Sequence, residues 1–260
     1  MAEGRKHHRG RREKKKLTVG SVISFIVLIA AIGVFIYAAY NLYTIYSGRY
    51  KGDKEYNELK DLALAEEEDG RFKVDFEELW KINPDIKAWI RFDEPSIISY
   101  PVVQGKDNNE YLHRTISGFE NTYGAIFINV DNSPELTDRN TIIYGHRMNS
   151  DSMFGQLDTY KEKEHWDKYP CFYIYQPDGS ELKYQIFASG TVHQDSNAYQ
   201  IEYADEADYA AYLDFIKESA DYDTGVEVGS DAEIVTLSTC TKSEEDYRYV
   251  VWGVKVTAGE

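Results

Sequence analysis

Residues 233–256 read EIVTLSTCTKSEEDYRYVVWGVKV. Two runs rich in branched and aromatic side chains, 234–239 and 249–256, flank the polar segment TKSEED. Such a pattern predicts two antiparallel strands joined by one loop. Cys240 ends the first strand and Arg248 opens the second, so the two can lie side by side. Strand ends are where a rigid scaffold presents side chains to solvent. Ser238, two residues before Cys240, shares its strand face. Cys240 can be a small core residue or a nucleophile, and the choice turns on which other residues reach it.

Upstream of this pair the pattern repeats. Runs at 89–92, 97–103, 125–130, 141–144, 172–175 and 182–193 are also rich in branched and aromatic residues. The turn PDGS at 177–180 makes a hairpin of two of them. Many short strands with turn signals predict a mainly β chain closed as a barrel or sandwich. Two helices interrupt it. One is short, begins at a possible Asp75 cap, presents Phe76, Leu79 and Trp80 as its apolar face and stops before Pro84. The other spans 205–220, is capped by Asp205, and repeats Tyr209, Tyr212, Leu213 and Ile216 at helical spacing, as expected of a helix laid over a sheet.

The N-terminus has a different composition. Residues 1–16 hold eight Lys or Arg against two Glu, and no charge follows until Arg49. From Leu17 to about residue 40 the apolar run is long enough to cross a hydrocarbon core of ~30 Å as a helix. No short apolar region with a small-residue cleavage site is followed by polar chain, so the segment is expected to remain as an anchor. The basic head predicts a cytoplasmic N-terminus and a C-terminal part outside. Tyr37, Tyr40, Tyr43 and Tyr46 suit the outer interface. The expected organisation is a cytoplasmic head (1–16), a transmembrane anchor (17–40), a stalk or helical linker (41–74) and an extracellular catalytic domain (75–260).

Setting the head's charges aside from chain totals of 29 basic and 45 acidic residues leaves 21 against 43, a net charge of −22. This exterior excludes a nucleic-acid partner, which requires a basic footprint. The acids, EEED at 66–69 among them, suit solvated helix surface better than calcium ligation, and neither metal nor cofactor is expected. The chain has two cysteines, which can pair once outside the membrane. Cys171, in YPCFYIYQ, suits packing as a small apolar residue. A domain of about 200 residues buries its own core without a staple. Cys240 is thereby available for chemistry.

A thiol of pKa ~8.5 needs a basic or cationic neighbour to supply thiolate near neutral pH. Six histidines are present. His146, in NTIIYGHRM, combines a strand end, a glycine and a following arginine, and strand alternation puts Tyr144 on its side. It can pair with Cys240 and then protonate a leaving amine. The Arg248 guanidinium offers fixed donors to an oxyanion.

TLSTC with Arg248 eight positions on, YGHRM nearly a hundred residues upstream, and an N-terminal anchor together resemble the sortases, cysteine transpeptidases of Gram-positive cell surfaces. YPVVQGKDNNEYL at 100–112 and the helix before the cysteine strand resemble class B. The resemblance covers residues 75 to about 257. It implies an eight-stranded sortase barrel with N-terminal helices and His146, Cys240 and Arg248 as the catalytic set. It also implies cleavage of C-terminal sorting signals through a thioacyl-enzyme, with transfer to an amine of peptidoglycan or of another protein such as a pilin. Tyr144 and Ser238 are candidates for the substrate cleft; Ser99 and Thr241 receive no role. A cysteine endopeptidase using water as acceptor, and a catalytically silent wall-binding scaffold, are the competing readings.

Overall fold

The computed structural model describes residues 19–66, 72–96, 98–121, 123–148, 151–240 and 246–256, with the backbone alone for Ala65, Glu66 and Cys240. The basic head, Thr241 and most of EEED lie outside the described residues. The chain divides into two compact units, Met1–Ser47 and Gly48–Glu260.

The uncharged segment forms the start of α1 (Val19–Ala63), a helix long and apolar enough to cross a membrane. Its apolar side chains up to Ser47, from Val19 to Tyr46, are exposed on the protein. Beyond Gly48 the same helix belongs to the second unit. Its buried residues Gly52, Tyr56, Leu59 and Ala63 recur at helical spacing and form a single stripe. The Tyr56 hydroxyl donates to the Gly124 carbonyl at 2.6 Å, and the Tyr123 hydroxyl donates to Asp53 at 2.8 Å. The linker expected over 41–74 is therefore divided, with residues 48–63 packed against the barrel. Its charge density had hidden a narrow apolar stripe. The segment ends in a two-stranded sheet of β1 (Leu64–Glu66) and β2 (Phe72–Val74).

Next comes α2 (Phe76–Ile82), capped as expected by Asp75, whose carboxylate accepts from the Glu78 amide at 3.1 Å. Phe76 and Leu79 are buried, but Trp80 is 41% exposed and its indole N–H donates to the Ile86 carbonyl at 2.9 Å. A helix of two turns has room to bury i and i+3; the residue after them falls on the rim.

Eight strands follow: β3 (Ile86–Phe92), β4 (Ser99–Val103), β5 (Ile126–Ile128), β6 (Asn140–Tyr144), β7 (Cys171–Tyr175), β8 (Glu181–His193), β9 (Ile234–Cys240) and β10 (Tyr247–Lys255). They close into a barrel in the order β10-β8-β7-β3-β4-β5-β6-β9. Neighbours are antiparallel except β4–β5 and β6–β9, which run parallel. The eight-stranded barrel that the family resemblance implies is thus present, and of the barrel and sandwich left open by the strand pattern the chain adopts the barrel. Closure leaves this sheet without an edge.

The run YVVW on β10 shows why its apolar residues are continuous rather than alternating. Tyr249 and Val251 belong to the barrel core with Leu237 and Val235. Val250 and Trp252 pack outward with Tyr209, Tyr212, Leu213 and Ile216 of α4 (Glu206–Ser219). Both faces of the strand are covered, as alternation requires for a strand buried on both sides. Asp205 caps α4, accepting from the Asp208 amide at 3.0 Å. One short helix, α3 (Lys163–Lys168), and two 3-10 turns, Leu157–Lys161 and Asn197–Tyr199, were not foreseen; each is too short to show a period.

Candidate active site

Three neighbouring strands build the site. Across β9 and β10 the register pairs Cys240 with Arg248 and Ser238 with Val250, so the backbones of the two predicted residues are directly opposed. On the other side of β9, Tyr144 of β6 pairs with Ser238. The Gly145 amide extends that ladder by donating to the Ser238 carbonyl at 3.1 Å. His146 lies just beyond the end of β6 rather than within the strand. Its carbonyl accepts from the Phe154 amide at 3.0 Å, which turns the chain back at that point.

A cavity of about 220 Å³ opens here, lined by Asn108, Leu112, Phe127, Tyr144, Gly145, His146, Ser238, Thr239 and Arg248. Four of the five residues singled out from the sequence therefore line one concavity, and the backbone of the fifth, Cys240, faces Arg248. Apolar walls with a few directed polar groups are the usual make-up of a ligand site.

His146 is held by its surroundings more than by its strand. Its Nε2 lies against the Leu112 carbonyl oxygen. A carbonyl can only accept, so Nε2 carries a hydrogen and Nδ1 is left to exchange the proton that matters for chemistry. Burial holds the imidazole below the usual histidine range; the Leu112 carbonyl opposes this and His113 reinforces it. The exposed His113 ring stacks on it, with centroids 5.6 Å apart and planes inclined by 22°.

Gly124 makes the cradle possible. It sits at φ +55°, and a Cβ there would lie 2.5 Å from the Leu112 oxygen, 2.7 Å from the Tyr111 oxygen and 2.9 Å from Cδ2 of His146. The arginine after the histidine turns away: Arg147 Nη2 bonds Asp158 at 2.7 Å in a largely buried ion pair. It anchors the backbone on one side of His146 instead of entering the site.

Arg248 is tethered at both ends of its guanidinium. Nη1 donates to the Tyr247 carbonyl at 2.9 Å and Nη2 to Gln194 Oε1 at 2.8 Å. Gln194 in turn donates from Nε2 to Asp246 at 3.3 Å. These bonds hold the planar fork in one orientation.

Tyr144 is sandwiched, with Phe127 at 5.2 Å on one side and Tyr199 stacked at 6.1 Å on the other. Its hydroxyl accepts from Asn129 Nδ2 at 3.2 Å, and burial raises its pKa, so it stays protonated. Ser238 is buried, and its hydroxyl shares a 2.8 Å hydrogen bond with the Tyr199 hydroxyl. Cys171 is a free, half-buried thiol pushed up by burial, at the start of β7, which is not adjacent to β9 or β10. Among the described residues no three His, Cys, Asp or Glu side chains converge.

Asn108, Leu112, His113, Tyr199 and Gln194 contribute to the site without having been predicted. They sit on connections between strands, where no periodicity marks them. The Leu112 contribution is a backbone oxygen, which no residue type signals.

Residues 93–256 match the sortase domain family model. Sortase B of Listeria monocytogenes serovar 1/2a is 31% identical over 252 residues, covering 94% of this chain and 99% of that protein. The Staphylococcus aureus sortase B–substrate complex and a sortase B complexed with triglycine each superimpose with a TM-score of 0.66 at 30% identity over 71% of this chain, covering 85% and 86% of those chains respectively.

Proposed function

The chain belongs to the sortase family, and from that premise we propose a membrane-anchored class B cysteine transpeptidase that cleaves a C-terminal sorting signal and passes the acyl group to an amine of peptidoglycan or of another surface protein. The observation that carries this reading is the pairing of Cys240 with Arg248 across β9 and β10, beside the cavity that His146 and Arg248 line.

The chemistry follows from the groups. The Cys240 thiolate attacks the scissile carbonyl, and the developing oxyanion is met by the Arg248 guanidinium, whose orientation Gln194 and the Tyr247 carbonyl hold. The imidazolium of His146 gives its Nδ1 proton to the departing amine, leaving a thioester on Cys240. The neutral imidazole then takes a proton from the incoming amine, which displaces the sulfur and releases the joined product. Burial favours the neutral imidazole, so fixed positive charge from Arg248 supports the thiolate. The Phe127, Tyr144 and Leu112 walls offer apolar contact to the residues before the scissile bond. The substrate and triglycine complexes of the similar sortases support a peptide donor and an amine acceptor for this chain. The apolar part of α1 supports a membrane anchor.

Incubation of the full chain with a sorting-signal peptide, with and without triglycine, tests the reading. Transpeptidation yields a joined product only with the amine, hydrolysis yields a fragment in both, and a scaffold yields neither. Peptide mapping should find the acyl group on Cys240. Cys240→Ala should abolish turnover and Cys171→Ala should keep it; an active Cys240→Ala chain overturns the assignment.

A further inference from the structure

We infer that His113 is a positioning residue for His146: its ring holds the plane of the imidazole, and its charge governs how readily His146 takes a proton. This rests on the reading of His146 as the general acid.

The geometry is that of two imidazoles in one stack. Their centroids are 5.6 Å apart and their planes nearly parallel at 22°. His146 is clamped from the same loop twice, by the Leu112 carbonyl on Nε2 and by the next residue's ring on its face. The partners differ in exposure, for His113 is exposed and His146 half-buried. Burial weakens the proton affinity of His146, and a charge on the neighbouring His113 ring weakens it further. Like charges that close repel, so a proton on the His113 ring opposes protonation of His146.

The remaining charges around His146 do not remove this coupling. Arg248 of β10 and Tyr144 at the end of β6 line the same cavity, and the Cys240 thiolate of the proposed mechanism acts equally whatever residue stands at 113. Arg147 on its own segment is neutralised by Asp158, and Arg114 on the His113 loop is paired with Glu110 at 3.1 Å. Behind the loop, Tyr123 donates to Asp53. No carboxylate at the stack offsets the His113 charge among these groups.

The test is a ring-carbon NMR titration of the histidine-labelled full chain in detergent micelles. In His113→Phe, which keeps an aromatic face and removes the charge, the His146 pKa should rise. Added salt should raise the His146 pKa of the parent more than that of His113→Phe, because it screens the His113 repulsion only in the parent while Arg248 and Cys240 act in both chains. A His146 titration identical in parent and variant, or an equal salt response in the two, overturns the coupling; His113→Gln repeats the comparison with a second uncharged side chain. The limb of the kcat/KM profile that reports His146 should move upward with the ring pKa. A ring pKa that moves while the limb stays fixed keeps the coupling and overturns the general-acid role instead.

Discussion

Replacing Gly124 by alanine tests whether the His146 cradle is set by backbone packing. Two costs are separable. An L-residue at φ +55° pays about 1–2 kcal/mol for the left-handed conformation. The new methyl also meets the Leu112 and Tyr111 carbonyl oxygens at 2.5 and 2.7 Å, well inside contact distance. Both are backbone atoms that cannot rotate away, and forced overpacking of this kind costs about 1–3 kcal/mol. The total is about 2–5 kcal/mol. For a unit of roughly 200 residues, a central value of ~3 kcal/mol lowers Tm by about 6–12 °C. Gly179, in the turn between β7 and β8, supplies the control: it has φ +87° and nothing within 4 Å of an added Cβ. Gly179→Ala should show the conformational cost alone, with a Tm loss of about 2–8 °C. Scanning calorimetry of the three full-length chains gives the difference. At temperatures where Gly124→Ala remains folded, its kcat/KM should also fall by more than about tenfold, because the displaced Leu112 carbonyl no longer orients His146. Equal melting losses in the two alanine variants would refute the packing argument. Normal kcat/KM in folded Gly124→Ala would refute the role of the cradle in catalysis.

Arg248→Lys retains charge but loses the planar fork held by Gln194 and Tyr247; turnover on one sorting peptide should drop on the order of 10²-fold with an unchanged melt, and a lysine variant within a few-fold of the parent would leave only general electrostatics. Burial holds His146 and His165 below the usual histidine range, so between folded and unfolded pKa values the unfolded chain binds more protons. That stabilisation is fully present above the unfolded value of ~6.5 and is lost as pH falls from there through the lower folded values. Tm should accordingly decline from pH 7 to pH 5, less steeply in His146→Gln, and an equal slope in both chains contradicts the assignment. Protease added to wall-stripped cells should digest the Gly48–Glu260 unit and spare the basic head; protection of that unit would reverse the proposed topology.

Much of this protein is legible one residue after another. The hairpin of β9 and β10, the caps Asp75 and Asp205, the buried face of α4 and the uncharged N-terminal run all follow from local periodicity and from groups within a few positions of one another. So does the pairing of Cys240 with Arg248, since a short loop leaves two strands little choice of partner. Trp80 shows where local pattern overreaches: its spacing fits the apolar face of α2, yet the rim of the barrel leaves it partly in solvent. The parallel pairs β4–β5 and β6–β9 were decided by closure of the barrel, as was the docking of residues 48–63 along Tyr123. The cradle of His146 belongs with them: Leu112 lies 34 positions away, and Tyr199 reaches Ser238 across 39. Side-chain type and period govern what a segment prefers to become. Which distant carbonyl or hydroxyl then meets a reacting group depends on how all eight strands share one enclosed core, and that is a property of the tertiary structure alone.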